Sequence, residues 1–245
     1  MHETIEIKAK SPIKAYISWP NEKAKGALIV IHEVWGLVDH VKIVADRLAA
    51  EGYIALVPDL LGDADVQLES LRHLQWPLFD PQRRSQAQPE MRRLTAPLHN
   101  PEFGQQTIDR LRACFNYLYD LPQSDQKVAV IGFCFGGTYS FSLAVAEPRL
   151  KLALPFYGHA DQTAAELKHI RCPVFAFYGE RDETLISQLA DLKERMHTAG
   201  VDFTAKVYPD CGHAFFNDTN PYSYNAKAAA DAWQRVLRLL ADTLQ

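Results

Sequence analysis

Three residues of this 245-residue chain have the types and the setting that nucleophilic chemistry needs. Cys134 sits in Gly132-Phe133-Cys134-Phe135-Gly136-Gly137, directly after the apolar run "VAVI". Gly-x-Cys-x-Gly between a strand and a helix has the pattern of a nucleophile elbow, with sulfur in place of a serine oxygen. Such a turn forces the nucleophile into a strained backbone conformation, and a Cβ on a neighbouring residue would collide with it, hence the glycines. The turn also lifts the sulfur to the carboxyl edge of a sheet, at the start of a helix whose dipole favours thiolate. Taken alone, the hexapeptide also fits a structural cysteine buried in a tight strand-to-helix turn.

A thiol performs acyl transfer with the help of a base and of a group that orients the base. Downstream, "CPVFAFYGERDETL" runs a β-like segment into Asp182, and "AKVYPDCGHAFFN" runs another into His213. In those roles His213 accepts the thiol proton and later protonates the leaving group. Asp182 fixes the tautomer and stabilises imidazolium, and Cys134 attacks the acyl carbon. Glu180 and Glu183 are rival acids. The other histidines are worse placed: His2 is terminal, His40, His169 and His197 are in helical stretches, His73 and His99 fall in an irregular segment, and His159 precedes any acid-bearing loop. Glu33 ends a continuous apolar strand, where a carboxylate is costly to bury unless it pairs or faces a cavity; a capping or surface role stays open. His32 beside it reads as a structural histidine, with orientation of the loop by hydrogen bonding as the alternative.

The elements that must position these groups follow from periodicity. Runs rich in β-branched and aromatic residues recur at "TIEIKA", "KAYISWP", "GALIVIHEVW", "YIALVPDL", "KVAVIGF", "LKLALPFYG", "CPVFAFYGERD" and "FTAKVYPD". Those from residue 27 onward are nearly continuously apolar, as expected of strands covered on both faces. Helical stripes lie between them: Val41, Val44, Ala45, Leu48 and Ala49 in one, stopped at Gly52, and Ile108, Leu111, Phe115 and Leu118 in another, stopped at Pro122. This alternation predicts an α/β fold with a mainly parallel central sheet, helices on both faces and an antiparallel edge from the first two strands. One domain over residues 1–245 is expected. Residues 62–102 form a polar, proline-punctuated insert, too long for an idle connection, with a short helix or two and a part covering the site.

With "IHEVWGLVDHVKIVADRLAAEGYIALVPDLLG" added to "GFCFGG", "GERDETL" and "GHAFFN", the chain closely resembles the dienelactone hydrolase family of the α/β-hydrolases over nearly all of residues 5–240. The resemblance implies an α/β-hydrolase fold and a cysteine-dependent hydrolase of carboxylic esters or lactones working through a thioacyl intermediate. It assigns the triad to Cys134, Asp182 and His213, the oxyanion hole to the backbone N–H groups of Val34 and Phe135, and to Glu33 a place near the resting thiol. In the founding members an arginine shortly after the histidine binds the substrate carboxylate. Here Asn217 takes its place, and a neutral amide cannot neutralise an anion. Uncharged esters are therefore expected, unless Arg83, Arg84, Arg92 or Arg93 of the insert supplies a cation. Trp35, Trp76, Phe79, Phe156 and Tyr157 are candidates for an apolar acyl wall.

Bulk properties narrow the alternatives. A formal net charge of −4 from interspersed charges gives no basic field for nucleic acid or anionic lipid. The N-terminal segment lacks an apolar h-region and no apolar run is long enough to cross a bilayer, which predicts a cytoplasmic protein. Cys114, Cys134, Cys172 and Cys211 lack C-x-x-C spacing, so free thiols are expected, with no metal and no cofactor. A small-molecule ester or lactone is the expected partner, and the chain a monomer or small homo-oligomer. The competing readings are a non-catalytic small-molecule binder and thiol redox chemistry, for which Cys211 is the candidate resolving cysteine.

Overall fold

A computed structural model describes residues 1–62, 64 and 66–244. The chain begins with β1 (His2–Ile7), β2 (Ile13–Ser18) and β3 (Ala27–Ile31), then α1 (Asp39–Ala50) and β4 (Ile54–Pro58). Three helices follow, α2 (Leu68–His73), α3 (Gln75–Phe79) and α4 (Arg84–Thr95), and then the long α5 (Pro101–Asp120). The second half alternates β5 (Val128–Phe133), α6 (Phe135–Ala146), β6 (Ala153–Phe156), α7 (Ala164–Leu167), β7 (Val174–Gly179), α8 (Glu183–Ala199), β8 (Phe203–Tyr208) and α9 (Ala226–Leu244).

The strands form one eight-stranded sheet in the order β1-β2-β4-β3-β5-β6-β7-β8. β1 pairs antiparallel with β2 and β2 antiparallel with β4, which gives the N-terminal edge expected from the sequence. Every pairing from β4 to β8 is parallel. The residues of β3, β4, β5 and β6 are all buried, as strands covered on both faces require.

Strand order explains where a site can form. From β3 the chain moves to β4 on one side and then returns to place β5 on the other. Right-handed crossovers then carry their helices to opposite faces, opening a crevice at the carboxyl ends of β3 and β5. Ile31 of β3 lies opposite Gly132 of β5, so His32-Glu33-Val34 and Cys134 leave the sheet side by side.

The insert differs from its expected irregularity. It folds as α2, α3 and α4 followed by a 3-10 turn at Ala96–His99; Asp63 and Asp65 lie outside the described residues. Pro77 in α3 and Pro89 inside α4 interrupt the apolar spacing, which conceals the helices from a periodicity search. Leu71, Leu78, Phe79, Ala87 and Leu94 pack with Trp35 into a small core of their own, separate from the main core around the sheet. This cap roofs the carboxyl ends of the strands.

Candidate active site

The elbow begins with glycines that have no room for side chains. A Cβ on Gly132 would stand 2.1 Å from the Gly136 carbonyl oxygen, and one on Gly136 would stand 2.2 Å from that of Ile31. Helix α6 can therefore start hard against β3 and β5. Cys134 is the residue before its first turn, with φ 54° and ψ −111°. For a residue with a side chain this is a strained conformation, of the kind that costs about 1–3 kcal/mol and persists where packing over-determines it. Hydrogen bonds from its N–H to Phe156 O (3.0 Å) and from Thr138 N–H to its carbonyl (3.1 Å) hold the turn.

Asp182 and His213 arrive from the ends of β7 and β8. Asp182 precedes α8 yet makes no capping bond, because its carboxylate is turned to His213, with Oδ2 2.6 Å from Nδ1. That bond occupies the Nδ1 edge of the ring, and Cys134 shares the cavity wall with His213, near enough for its charge to act on the imidazole. The half-exposed imidazole loses solvent at the cavity wall, which lowers its pKa, but the charges and hydrogen bonds of Cys134 and Asp182 outweigh this and hold it well above the ordinary value. The ring also lies 5.1 Å from that of Tyr157, centroid to centroid.

The same cavity wall holds a buried carboxylate. Glu33 is 5% exposed. Its Oε2 accepts from Asn217 Nδ2 at 2.7 Å and its Oε1 from Tyr157 OH at 3.4 Å. The Asn217 orientation is set from behind, where its Oδ1 accepts the N–H and hydroxyl of Thr219 at 3.0 and 2.7 Å. Burial, then the nearby Glu33 and Cys134, push the Tyr157 phenol well up, so it stays protonated and donates.

Glu33 shares the cavity wall with Cys134, and its hydrogen bonds among the described residues come from Asn217 and Tyr157. Expectations for the substrate pocket change. Asn217 does not face substrate space; it is 1% exposed and clasps Glu33. Phe156 and Tyr157 form no acyl wall either, since both are buried. Phe156 stacks on Phe177 in the core, and Tyr157, at φ 38°, turns inward to the carboxylate. Trp76 points outward, 62% exposed. Trp35 and Phe79 do line the cavity, packed edge to face.

The cavity above the sulfur has a volume of about 900 Å³. Its floor is Glu33, Val34, Cys134 and His213, and its roof is Leu78, Phe79, Arg84 and Met91 of the cap. Sequence reasoning missed its far rim, Asn220 and Tyr222–Asn225, for which the Asn-Pro turn at Asn220-Pro221 was the available signal. Of the insert arginines, Arg84 alone lines this cavity. Its Nε and Nη2 donate to the carbonyls of Leu78 and Phe79, and it has no acidic partner among the described residues. Arg83 pairs with Asp80 and Arg93 with Glu90.

The loop after β3 is braced from several sides. His32 Nδ1 and Gly36 N–H meet the Glu33 carbonyl at 2.6 and 3.1 Å, and Arg72 of α2 donates to the Trp35 carbonyl at 3.1 Å. Neither Val34 N–H nor Phe135 N–H has an acceptor among the described residues. The remaining cysteines are apart from the site: Cys114 and Cys172 are buried, their thiols pushed up to about 12. Cys211 is 2% exposed on a different depression, lined by Lys206, Tyr208 and Asp231.

Comparison with known proteins agrees with this architecture. A protein of Saccharolobus solfataricus, provisionally named carboxymethylenebutenolidase, is 34% identical over 248 residues, covering 93% of each chain. Protein usf of Aquifex pyrophilus is 30% identical over 238 residues, covering 95% of this chain and 94% of that one. A crystal structure from Klebsiella pneumoniae, provisionally named dienelactone hydrolase, superposes with a TM-score of 0.82 at 23% identity, covering 98% of each chain, and so shares the fold. Residues 13–244 match the sequence profile of the dienelactone hydrolase family, and the chain belongs to that family.

Proposed function

We propose that the chain hydrolyses carboxylic esters or lactones through a thioacyl-enzyme intermediate on Cys134. The observation that carries this reading is the gathering on one cavity of a strained Cys134 and of His213, whose Nδ1 is bound to the Asp182 carboxylate. The sulfur electron pair forms a C–S bond to the acyl carbon while the carbonyl π pair moves onto oxygen, toward the N–H groups of Val34 and Phe135. Collapse breaks the C–O bond, and the leaving alkoxide takes the proton held by His213. Water then attacks the thioester and gives a proton to His213; the C–S bond breaks, releasing the acid and restoring the thiol pair. The separate, buried setting of Cys211 supports hydrolysis over disulfide redox work.

The Arg84 guanidinium favours esters that also carry a carboxylate, since it reaches the cavity from the cap with no acidic partner among the described residues. The test is a panel of lactones and p-nitrophenyl esters of graded chain length, with and without a carboxylate. Cys134→Ala is expected to abolish turnover with the fold intact, and rapid quenching of the wild type to trap an acyl adduct on Cys134 by mass. Arg84→Gln is expected to raise KM for carboxylated esters and leave neutral ones unaffected. Undiminished turnover by Cys134→Ala refutes the mechanism; equal effects of Arg84→Gln on both ester classes refute the anion subsite.

A further inference from the structure

We infer that His32 is a positioning residue that aims the oxyanion hole, holding the peptide that bears the Val34 N–H and packing on the residue that bears the second. The inference rests on the hydrolase reading above.

The hydrogen bonds of His32 fix its tautomer. Leu60 N–H donates to Nε2 at 3.2 Å, and a backbone amide can only donate, so Nε2 carries a lone pair. The ring proton is then on Nδ1, which donates to the Glu33 carbonyl at 2.6 Å. A second ring proton would point at the Leu60 N–H. The ring has no solvent exposure, and burial lowers its pKa, so it stays in this neutral form.

Planarity of the peptide carries the effect to the site. The Glu33 carbonyl is pinned by two donors, His32 Nδ1–H and Gly36 N–H. In a trans peptide the N–H of the next residue points opposite to that carbonyl, so fixing one fixes the other. The group so fixed is the Val34 N–H, on the cavity floor beside Cys134. The face of the same ring lies parallel to Phe135, 5.8 Å between centroids and 5° between planes. Phe135 supplies the second amide. One buried side chain thus spans the exits of β3, β4 and β5 and sets the spacing of two donors that must meet a single oxygen.

A plain core histidine would affect stability and nothing else, which separates the two accounts. His32→Met fills similar space and retains a weak acceptor for Leu60 but has no donor for Glu33; His32→Leu is the second donor-less variant should Met not fold. His32→Gln restores one donor and one acceptor. In the folded donor-less variant kcat for a p-nitrophenyl ester is expected to fall about 100-fold, the effect of losing one oxyanion donor. KM should change little. Inhibition by an aryl trifluoromethyl ketone, which forms a tetrahedral oxyanion on the thiol, should weaken by a similar factor. Alkylation of Cys134 by iodoacetamide, which develops no oxyanion, should proceed at the wild-type rate, and His32→Gln should recover most of kcat. Unchanged kcat and ketone inhibition in the donor-less variant overturn the inference, as does an equal loss in alkylation rate. Turnover that survives Cys134→Ala, run in parallel, would instead sink the underlying hydrolase reading.

Discussion

Replacing Asn217 by leucine removes the short donor to a carboxylate that has almost no access to water. Glu33 is 5% exposed, and its remaining donor among the described residues, Tyr157 OH, lies at a long 3.4 Å. A hydrogen bond to a charged group contributes about 1.5–3 kcal/mol, and leaving a buried charge without its partner costs about 3–5 kcal/mol. Tyr157 can close part of the gap, and exposed Thr219 regains water for the donors that Asn217 Oδ1 had accepted, so the expected loss is about 2–4 kcal/mol. For a chain of this size that lowers Tm by roughly 4–16 °C. Glu33→Leu alone strands the Asn217 amide in the same pocket and should cost about 1–3 kcal/mol. The double variant buries neither an unpaired charge nor an unpaired amide, so it should be more stable than the two losses summed, by about 1.5–3 kcal/mol. Urea unfolding of the four proteins measures each term. Additivity within about 0.5 kcal/mol would show that the 2.7 Å contact couples nothing and that Glu33 is satisfied by other means.

Three further outcomes are expected. Because His213 titrates above its unfolded value of about 6.5, the stabilisation from its partners is fully present below that pH and fades as pH rises through the raised value. Asp182→Asn should therefore move the alkaline limb of the kcat/KM profile to lower pH and reduce kcat; an unmoved limb would refute the His213 assignment. Cys134→Gly relieves the positive φ that Cys134→Ala retains, and after the entropic cost of glycine it should be more stable than the alanine variant by about 1 kcal/mol by calorimetry. Gly136→Ala puts a Cβ against the Ile31 carbonyl oxygen and should cost at least about 2 kcal/mol in urea unfolding; near wild-type stability would mean that α6 can retreat from β3 at little cost.

Much of the framework is legible in the sequence because it is written locally. The four central strands announce themselves as unbroken apolar runs, and the elbow shows because steric demands fall on adjacent glycines. The order Cys134, Asp182, His213 is readable since each follows a strand that can be seen separately. What is hidden is long-range or masked. Nothing near Asn217 says that its amide meets a carboxylate 184 positions earlier. Phe156 and Tyr157 are neighbours of like composition, yet a positive φ at the second sends one ring into the core and the other toward Glu33. The cap helices are short and carry prolines, so their shared apolar face emerges only when Trp35 is brought against it.

The cap has its own small core, and this divides labour across the cavity. The residues proposed to react rest on the floor, anchored in the sheet, whereas the shape and charge offered to an incoming molecule depend on a roof whose packing centres on one tryptophan. Substitutions among Leu78, Phe79, Arg84 and Met91 can therefore redraw the range of acceptable molecules without disturbing the sulfur below. A lineage built this way can explore new diets while inheriting the proposed reactive centre intact.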